Sequence, residues 1–509
     1  MPVWLSNLAP ILILLAAVAV VLGRLPKVDV GHTEAFRHRR ILNWLPLGLL
    51  YAFLYMGRYN LEVAKNAFST ISGVDGSPVM GNTDFGIIFG IGTVVYGFSF
   101  IINGPLTDRI GGRISILLGA GGTIFANLMM GLASLSLLNQ GPGYEFLSRH
   151  FVAVLAALFA FNMYFQSFGA VSIVKVNAAW FHVRERGVFG AIFGILISLG
   201  LYFAFDWSKM ILQAFSSKSD PTGGIPWVFF VPTMLLGVFF VLNVLFVRDT
   251  PGQAGYRDFD TGDASSGDTG PRIPVVAVFK KMLTNPVVVT IALIEFCSGF
   301  LRQAIMQWFR TFAKQTNGTL GLMDGFVFKN WGLLLCVAGI LGGVVAGVIS
   351  DHVFKSRRGP VAVFLYGVML LGAVALTFLY AGPAVGALVV VMSMAVIGVH
   401  GMLSGTASMD FGGKRNVGVA VGIIDGFVYL GTATMSLTYA FTLPKEQLAN
   451  GKLVGPATDP SNWVAWPVAM IPVALIGLVL ALRVWHAYPN SGQKKPEVSP
   501  EPGPDLIQD

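Results

Sequence analysis

The sequence predicts an all-α protein that crosses a lipid bilayer many times and is built from two similar six-helix halves. Three observations carry this reading. The 509-residue chain is 54% hydrophobic and only 12% charged, against about a quarter charged in soluble domains, and its mean hydropathy is +0.69. Its apolar runs are each long enough to span about 30 Å of hydrocarbon as a helix. Third, Arg58 and Arg302 each sit deep inside such a run and lie 244 residues apart (302−58), while Asp108 and Asp351 lie 243 apart (351−108). A charge near mid-bilayer costs a few kcal/mol or more, so such residues usually face a bundle interior or a watery path. The pattern is one chain with two halves and one intramembrane arginine in each.

Residues 3–23 form the first apolar run. No Lys or Arg precedes it, which argues against a cleaved signal peptide; Arg24, Lys27, Arg37, Arg39 and Arg40 come after it. The reading is an extra transmembrane helix ahead of the main bundle, with a basic connector completing residues 1–40. Six spans come next, near 41–66, 84–106, 114–138, 148–178, 187–214 and 225–247, which make residues 41–247 the first bundle. Residues 248–283 are polar and contain TGDASSGDTGPR, a flexible-linker composition. Six more spans, near 286–313, 328–350, 360–381, 384–408, 417–442 and 463–486, assign 284–486 to the second bundle. The Pro-, Lys- and Glu-rich end, 487–509, reads as a disordered cytoplasmic tail.

The loop charges order these spans. Arg109, Arg113, Arg184, Arg186, Arg248, Arg257, Arg272, Lys280, Lys281, Lys355, Arg357, Arg358, Lys414 and Arg415 fall in alternate loops, and only Lys218, Lys314, Lys445 and Lys452 fall in the others. The positive-inside rule then places the N-terminus outside and the C-terminus in the cytoplasm. This distribution also accounts for the net charge of +8 without nucleic acid. The two cysteines, Cys297 and Cys336, lie in apolar runs, with no disulfide framework or metal spacing. Helices in lipid associate through small residues. Gly339, Gly342, Gly343 and Gly347 in one span, and Gly418, Gly422, Gly426 and Gly431 in another, mark close crossings.

Gly104-Pro-Leu-Thr-Asp108-Arg109-Ile-Gly111-Gly112-Arg113 resembles the loop between the second and third helices of the major facilitator superfamily, with Gly112 in place of one basic residue. A narrower resemblance runs through residues 41–440. Arg58-Tyr59-Asn60, Tyr96-Gly97-Phe98-Ser99, Phe165-Gln166, Gly169, Trp180, Glu185-Arg186-Gly187, Arg248-Asp249-Thr250-Pro251 with Gly255, Leu301-Arg302, and Ala338-Gly339-Ile340 through Ser350-Asp351, Phe354 and Arg358-Gly359 are similar to motifs of the organophosphate:phosphate antiporter family. That family includes transporters of glycerol-3-phosphate and hexose phosphates.

The resemblance implies the major facilitator fold, two six-helix bundles with pseudo-two-fold symmetry. It implies that Arg58 and Arg302 hold the phosphate group at the bundle centre, and that the protein works as a monomer without a cofactor. Guanidinium suits the task, because it stays charged and offers a planar fork of donors to phosphate oxygens. Asp108, Arg109, Arg113, Glu185, Arg186, Asp351 and Arg358 are the expected conformational gates. Three positions depart from relatives. Tyr59 stands where a lysine follows the arginine, Phe100 where glycerol-phosphate carriers have a lysine, and Leu196 where they have a histidine.

Other intramembrane polar residues have two readings each. Tyr55, Tyr59, Tyr96, Tyr164, Gln166 and Trp308 line the cavity or pack helices. Glu62 and Lys65 share a helix face with Arg58: Glu62 neutralises that arginine or carries a proton, and Lys65 joins it or snorkels to the outer interface. Glu295, two turns from Arg302, is its partner or a proton site. Asp425 is a hydrogen-bonding or a proton residue, His400 a satisfied buried histidine or a ligand, and Lys175 a residue of the inner interface or of the path. Arg310 reads as structural.

The resulting expectation is an integral protein of a bacterial inner membrane that exchanges an organic phosphate for inorganic phosphate. Two alternatives stay open: a proton-coupled carrier of another organic anion, and a transporter-like receptor for sugar phosphate. No nucleophile–base pair, P-loop or metal-ligand pattern points to an enzyme.

Overall fold

A computed structural model describes residues 31–73, 76–182, 185–217, 219–261, 274–354, 358–449 and 452–486; the side chains of 186–191, 193, 347, 348, 351, 352 and 405–415 are outside the description. The expected extra helix, the tail and residues 262–273 of the linker therefore lie outside the described residues.

The first half contains α1 (Glu34–Phe68), α2 (Asn82–Ile110), α3 (Gly112–Leu138), α4 (Tyr144–Trp180), α5 (Arg186–Tyr202) and α6 (Trp227–Phe246). α5 continues through a π-type turn, Phe203–Trp207, into Ser208–Ala214. A short helix, α7 (Val275–Leu283), precedes the second half. That half contains α8 (Pro286–Gln315), α9 (Trp331–Val348), α10 (Arg358–Leu379), α11 (Val385–His400), α12 (Ser408–Thr442) and α13 (Met470–Arg483).

Ten described helical segments are long and apolar enough to cross a membrane. α1 and α9 complete the twelve: α1 also carries a charged N-terminal end, and the apolar run of α9 is short. Large apolar side chains on the bundle exterior, such as Phe98, Ile102, Leu371 and Phe378, are more than half exposed, as lipid contact requires. Two details differ from expectation. The segment around Lys414 and Arg415 is the start of α12, reached from α11 through a π-type turn, Gly401–Ala407. Gln447–Ala449 and Lys452–Val454 pair as a small antiparallel hairpin after α12.

The halves meet along α2 with α12 and α5 with α9. Glycine decides the first crossing: a Cβ at Gly104 would collide with the backbone of Gly418, and one at Gly426 would press on the Gly97 carbonyl. Gly342 meets the backbone of α11 in the same way, whereas Gly343 faces open space and is no crossing point. Gly111, at φ 89°, makes the tight α2–α3 turn, and a Cβ there would strike the Asp249 carboxylate. That carboxylate accepts the Arg113 backbone N–H at 2.8 Å. Cys297 and Cys336 are free and buried.

Candidate functional site

α1 brings Arg58 to the middle of the seam, where it is fully buried. All three of its nitrogens are engaged. Nε donates to Gln166 Oε1 at 2.8 Å, and the two terminal nitrogens donate to the hydroxyls of Tyr429 and Tyr96, each at 2.6 Å. The rings of Tyr55, Tyr59, Tyr96 and Tyr429 surround the guanidinium at 4.6–5.6 Å, a desolvated cation–π cage. Gln166 is held in turn by its Nε2 donating to Asn162 Oδ1 at 3.2 Å. Tyr429 belongs to α12, so the cage of the first half's arginine is closed by the second half.

Arg302, on α8, is 3% exposed. Its surroundings are different: Nε and one terminal nitrogen are buried and have no hydrogen-bond acceptor among the described residues. Leaving buried donors unpaired is costly, and two on one cation mark a place where an anion gains most. The neighbouring Gln303 donates to Tyr59 Oη at 2.7 Å, and Gln307 donates to Gln303 Oε1 at 3.1 Å. The two arginine helices are thereby joined by a neutral polar bridge.

Several expected partnerships are replaced. Glu295 does not pair with Arg302; its carboxylate lies 2.8 Å from His400 Nδ1, because α11 packs on that face of α8. Glu62 does not neutralise Arg58. One of its oxygens accepts from Asn66 Nδ2 at 2.6 Å, and the other has no described partner. Lys65 does not reach the surface: it is buried, donating to Asn82 Oδ1 at 2.5 Å and to Glu446 Oε1 at 3.0 Å. Asp425 accepts from the Ser404 hydroxyl. Trp308 packs edge-on against Phe85 and Tyr439, and Tyr164 lies against Phe165 and Phe168; neither is among the groups that hold Arg58.

Both ends of the seam are tied. At one end Gln315 Nε2 also donates to Glu446 Oε1 at 2.6 Å, and the Asn82 backbone N–H donates to Glu446 Oε2 at 2.6 Å. Nearby, Asp206 in the π-type turn accepts the N–H groups of Gly332 and Leu333 at 3.0 and 2.9 Å, so a carboxylate of the first half sits on the N-terminus of α9. At the other end Asp108 binds Lys175 Nζ at 2.6 Å and accepts from Gly418 and Val419 N–H at 3.3 Å each. Among the described residues the cation on Asp108 is Lys175; Arg109 is exposed and the Arg113 side chain donates to Val244 O at 2.6 Å. Arg358 donates to Met402 O at 3.2 Å. The side chains of Arg186 and Asp351 lie outside the described residues.

Glu185 closes the α4–α5 connection. Arg40 grips it with two bonds of 2.9 Å, and His32 stands 3.5 Å away. Burial alone would raise the carboxyl, but the approach of His32 and the two bonds from Arg40 override it and hold it down at about 2.

Tyr429, Asp206, Asn82, Gln315 and Glu446 were not singled out by the sequence. Tyr429 had a signal, standing four residues after Asp425 on the same helix face. Glu446 had none, being in a loop.

The sequence profile described as Major Facilitator Superfamily matches residues 47–436, and the chain belongs to that superfamily. Curated relatives narrow the likeness. The chain is 24% identical to the glycerol-3-phosphate transporter of Bacillus subtilis, across 92% of this chain and 97% of the relative. It is 23% identical to a probable hexose phosphate transport protein of Chlamydia pneumoniae, over 91% and 94%. It is 24% identical to the membrane sensor protein UhpC of Salmonella typhimurium, over 80% and 85%. Among solved structures, a bacterial homologue of the human lysosomal transporter Spinster, inward-facing and unoccupied, superposes with a TM-score of 0.59 at 12% identity, covering 89% of this chain and 98% of that one. The fold is shared with that structure. The relatives' names are consistent with the organophosphate:phosphate antiporter family.

Proposed function

We propose that this integral membrane protein is a secondary active transporter that exchanges an organic phosphate for inorganic phosphate by alternating access. The observation that carries the reading is Arg302: a buried cation with two unpaired N–H donors among the described residues, set in the same seam as Arg58. A phosphate between them satisfies those donors with charge-assisted bonds and offsets the repulsion between two buried cations. The halves then close readily around phosphate and poorly without it, which favours exchange over leak. The relatives that carry glycerol-3-phosphate and hexose phosphate in their names support the substrate class.

In this reading residues 41–247 and 284–486 are the two rocking bundles and 248–283 the cytoplasmic linker. The N-terminus is outside and the C-terminus inside, and a monomer in the bacterial inner membrane is the working unit. The tie at Lys65 and Glu446 is then the outer gate, and that at Asp108 the inner gate. A second reading, a sugar-phosphate receptor on the same scaffold, is favoured by the likeness to a membrane sensor protein.

The test is uptake of radiolabelled phosphate into proteoliposomes, with no pH gradient and with or without internal phosphate, while unlabelled glycerol and sugar phosphates compete one at a time. The antiporter reading predicts uptake that needs internal phosphate and is lost in Arg58→Ala and Arg302→Ala. Phosphate binding without uptake would favour the receptor; uptake driven only by a pH gradient would overturn exchange.

A further inference from the structure

One side of α8 carries more than Arg302. Gln303, Gln307, Arg310 and Lys314 follow at spacings of four, three and four, a single stripe along the helix. The facing stripe of α1 is Tyr55, Tyr59, Glu62 and Asn66. The Gln303–Tyr59 bond joins the two stripes near the arginine centre. They run from there toward the end of the bundle tied by Lys65 and Glu446.

Along this lane polar atoms are left over. Arg310 is 8% exposed, and its Nε and one terminal nitrogen are buried without an acceptor among the described residues. Gln307 Oε1 and Glu62 Oε2 are also buried and unpartnered among the described residues. The charged groups facing Arg310 are Glu62 on α1, Asp206 and Lys209 on the α5 extension, and Lys314 on α8 itself. Asp206 is already occupied by two backbone N–H groups of α9. Glu62 gives one oxygen to Asn66 and makes no ion pair with Arg310. Phe328 forms an apolar wall, with Arg310 and Lys209 each 5.5 Å from its ring centre.

We propose that Arg310 and Lys314 form a second, outer anion site, which receives the substrate's phosphoryl group on its way to Arg302. The proposal rests on the antiporter reading above. Unpaired, buried guanidinium donors are what a phosphate oxyanion satisfies. Lys314, one turn further out, adds a flexible point charge. Glu62 is the site's own counter-anion: its field holds the two cations when no phosphate is present and opposes phosphate when it arrives. The lane therefore takes up phosphate, free or esterified, without trapping it before it reaches the centre.

The test uses purified full-length protein, checked as monodisperse. Uptake of inorganic phosphate is measured from the outer and inner faces separately, in right-side-out and inside-out vesicles, for wild type, Arg310→Gln, Arg310→Lys and Glu62→Gln. Loss of one charge-assisted bond corresponds to about tenfold or more in affinity. Arg310→Gln is expected to raise the outer half-saturation concentration by about tenfold and leave the inner one unchanged. Arg310→Lys should recover most of that loss, and Glu62→Gln should lower the outer value. An equal change on both faces, or none on either, would overturn the site.

A second arm separates this claim from the exchange reading. Equilibrium titration of Arg302→Gln with inorganic phosphate is expected to keep a weak binding event that Arg302→Gln/Arg310→Gln lacks. If wild type binds phosphate but exchanges none, the antiporter reading fails while this arm still decides the outer site. Identical titrations of the two variants would refute it. Repeating the titration with glycerol-3-phosphate shows whether the site takes the ester as well as the free ion.

Discussion

Arg58 and Arg302 hold matching places in the two halves, yet their surroundings are opposite. Arg58 is saturated by Gln166, Tyr96 and Tyr429 and ringed by four tyrosines. Arg302 has two buried donors with no acceptor among the described residues. Sequence symmetry suggests a symmetric clamp, and the geometry describes an anchor and an open hand. Arg58 is fixed by neutral groups that keep its charge available. Arg302 keeps bonding capacity in reserve, with Glu295 drawn away from it by His400.

The largest effect should fall on transport itself. Arg302→Ala and Arg58→Ala should each reduce phosphate exchange by more than about a hundredfold, since each removes at least one bond to a charged group, worth about 1.5–3 kcal/mol, and the charge with it. Lysine should rescue position 302 in part and position 58 hardly at all, because a single ammonium cannot serve three diverging acceptors. Equal rescue at both sites, measured as initial exchange rates, would dissolve the distinction between anchor and open hand.

The Arg58 cage includes Tyr429 from the other half, so it exists in full only while the seam is closed. Breaking one side of the buried Lys65–Glu446 pair, by Lys65→Met or Glu446→Gln, should weaken that closure by about 3–5 kcal/mol. The expected readout is faster thiol labelling of cysteines introduced near Gln315 and Asn82. Lys65→Met/Glu446→Met should label more slowly than either single variant. Labelling unchanged in all three would show that the tie does not hold the gate.

Tyr429→Phe sharpens the comparison at smaller scale. It removes one acceptor from Arg58 and none from Arg302, so it should cost about 1.5–3 kcal/mol in stability and shift the half-saturation for phosphate only a few-fold. A complete loss of exchange in a folded Tyr429→Phe protein would instead give the hydroxyl a direct role in transport.

The smallest effect concerns pH. The Glu185 carboxyl is lowered to about 2 from an ordinary value of 4.5. The stability it contributes is complete above about 4.5 and is lost as pH falls toward 2. The difference in unfolding temperature between wild type and Glu185→Gln should therefore shrink as pH falls from about 4.5 toward 2. A difference that stays the same down to about pH 2 would contradict the Arg40–Glu185 geometry.

Much of this fold was written in the apolar runs. Span length and loop charge are enforced by the bilayer, so each of the twelve spans expected between residues 41 and 486 corresponds to a helix, while the thirteenth, at 3–23, lies outside the described residues. The two arginines were legible for the same reason, since an intramembrane charge needs an interior. Their partners were less so. Spacing along one helix shows that Arg58, Glu62 and Lys65 share a broad face, but not which neighbour each meets. In the structure Glu62 turns to Asn66, Lys65 to Asn82 and Glu446, and Glu295 to His400. Those choices are made by helix packing, across 381 residues of chain in the case of Lys65 and Glu446. Asp206 was hidden because its partners are backbone N–H groups at the start of α9, which no side-chain pattern announces.

The unequal arginines can be tested most directly by thermal unfolding of purified protein, with and without saturating inorganic phosphate. Replacing Arg58 by methionine strands three buried acceptors, at about 1–3 kcal/mol each. Replacing Arg302 removes two stranded donors. The prediction is that Arg58→Met unfolds well below wild type, and that Arg302→Met unfolds at or above it. Wild type should gain about 2.7 kcal/mol at a hundredfold excess of phosphate over its dissociation constant, and Arg302→Met should gain much less at the same concentration. If Arg302→Met proves the less stable of the two, or keeps the full response to phosphate, Arg302 is not the half of the clamp held in reserve for the anion.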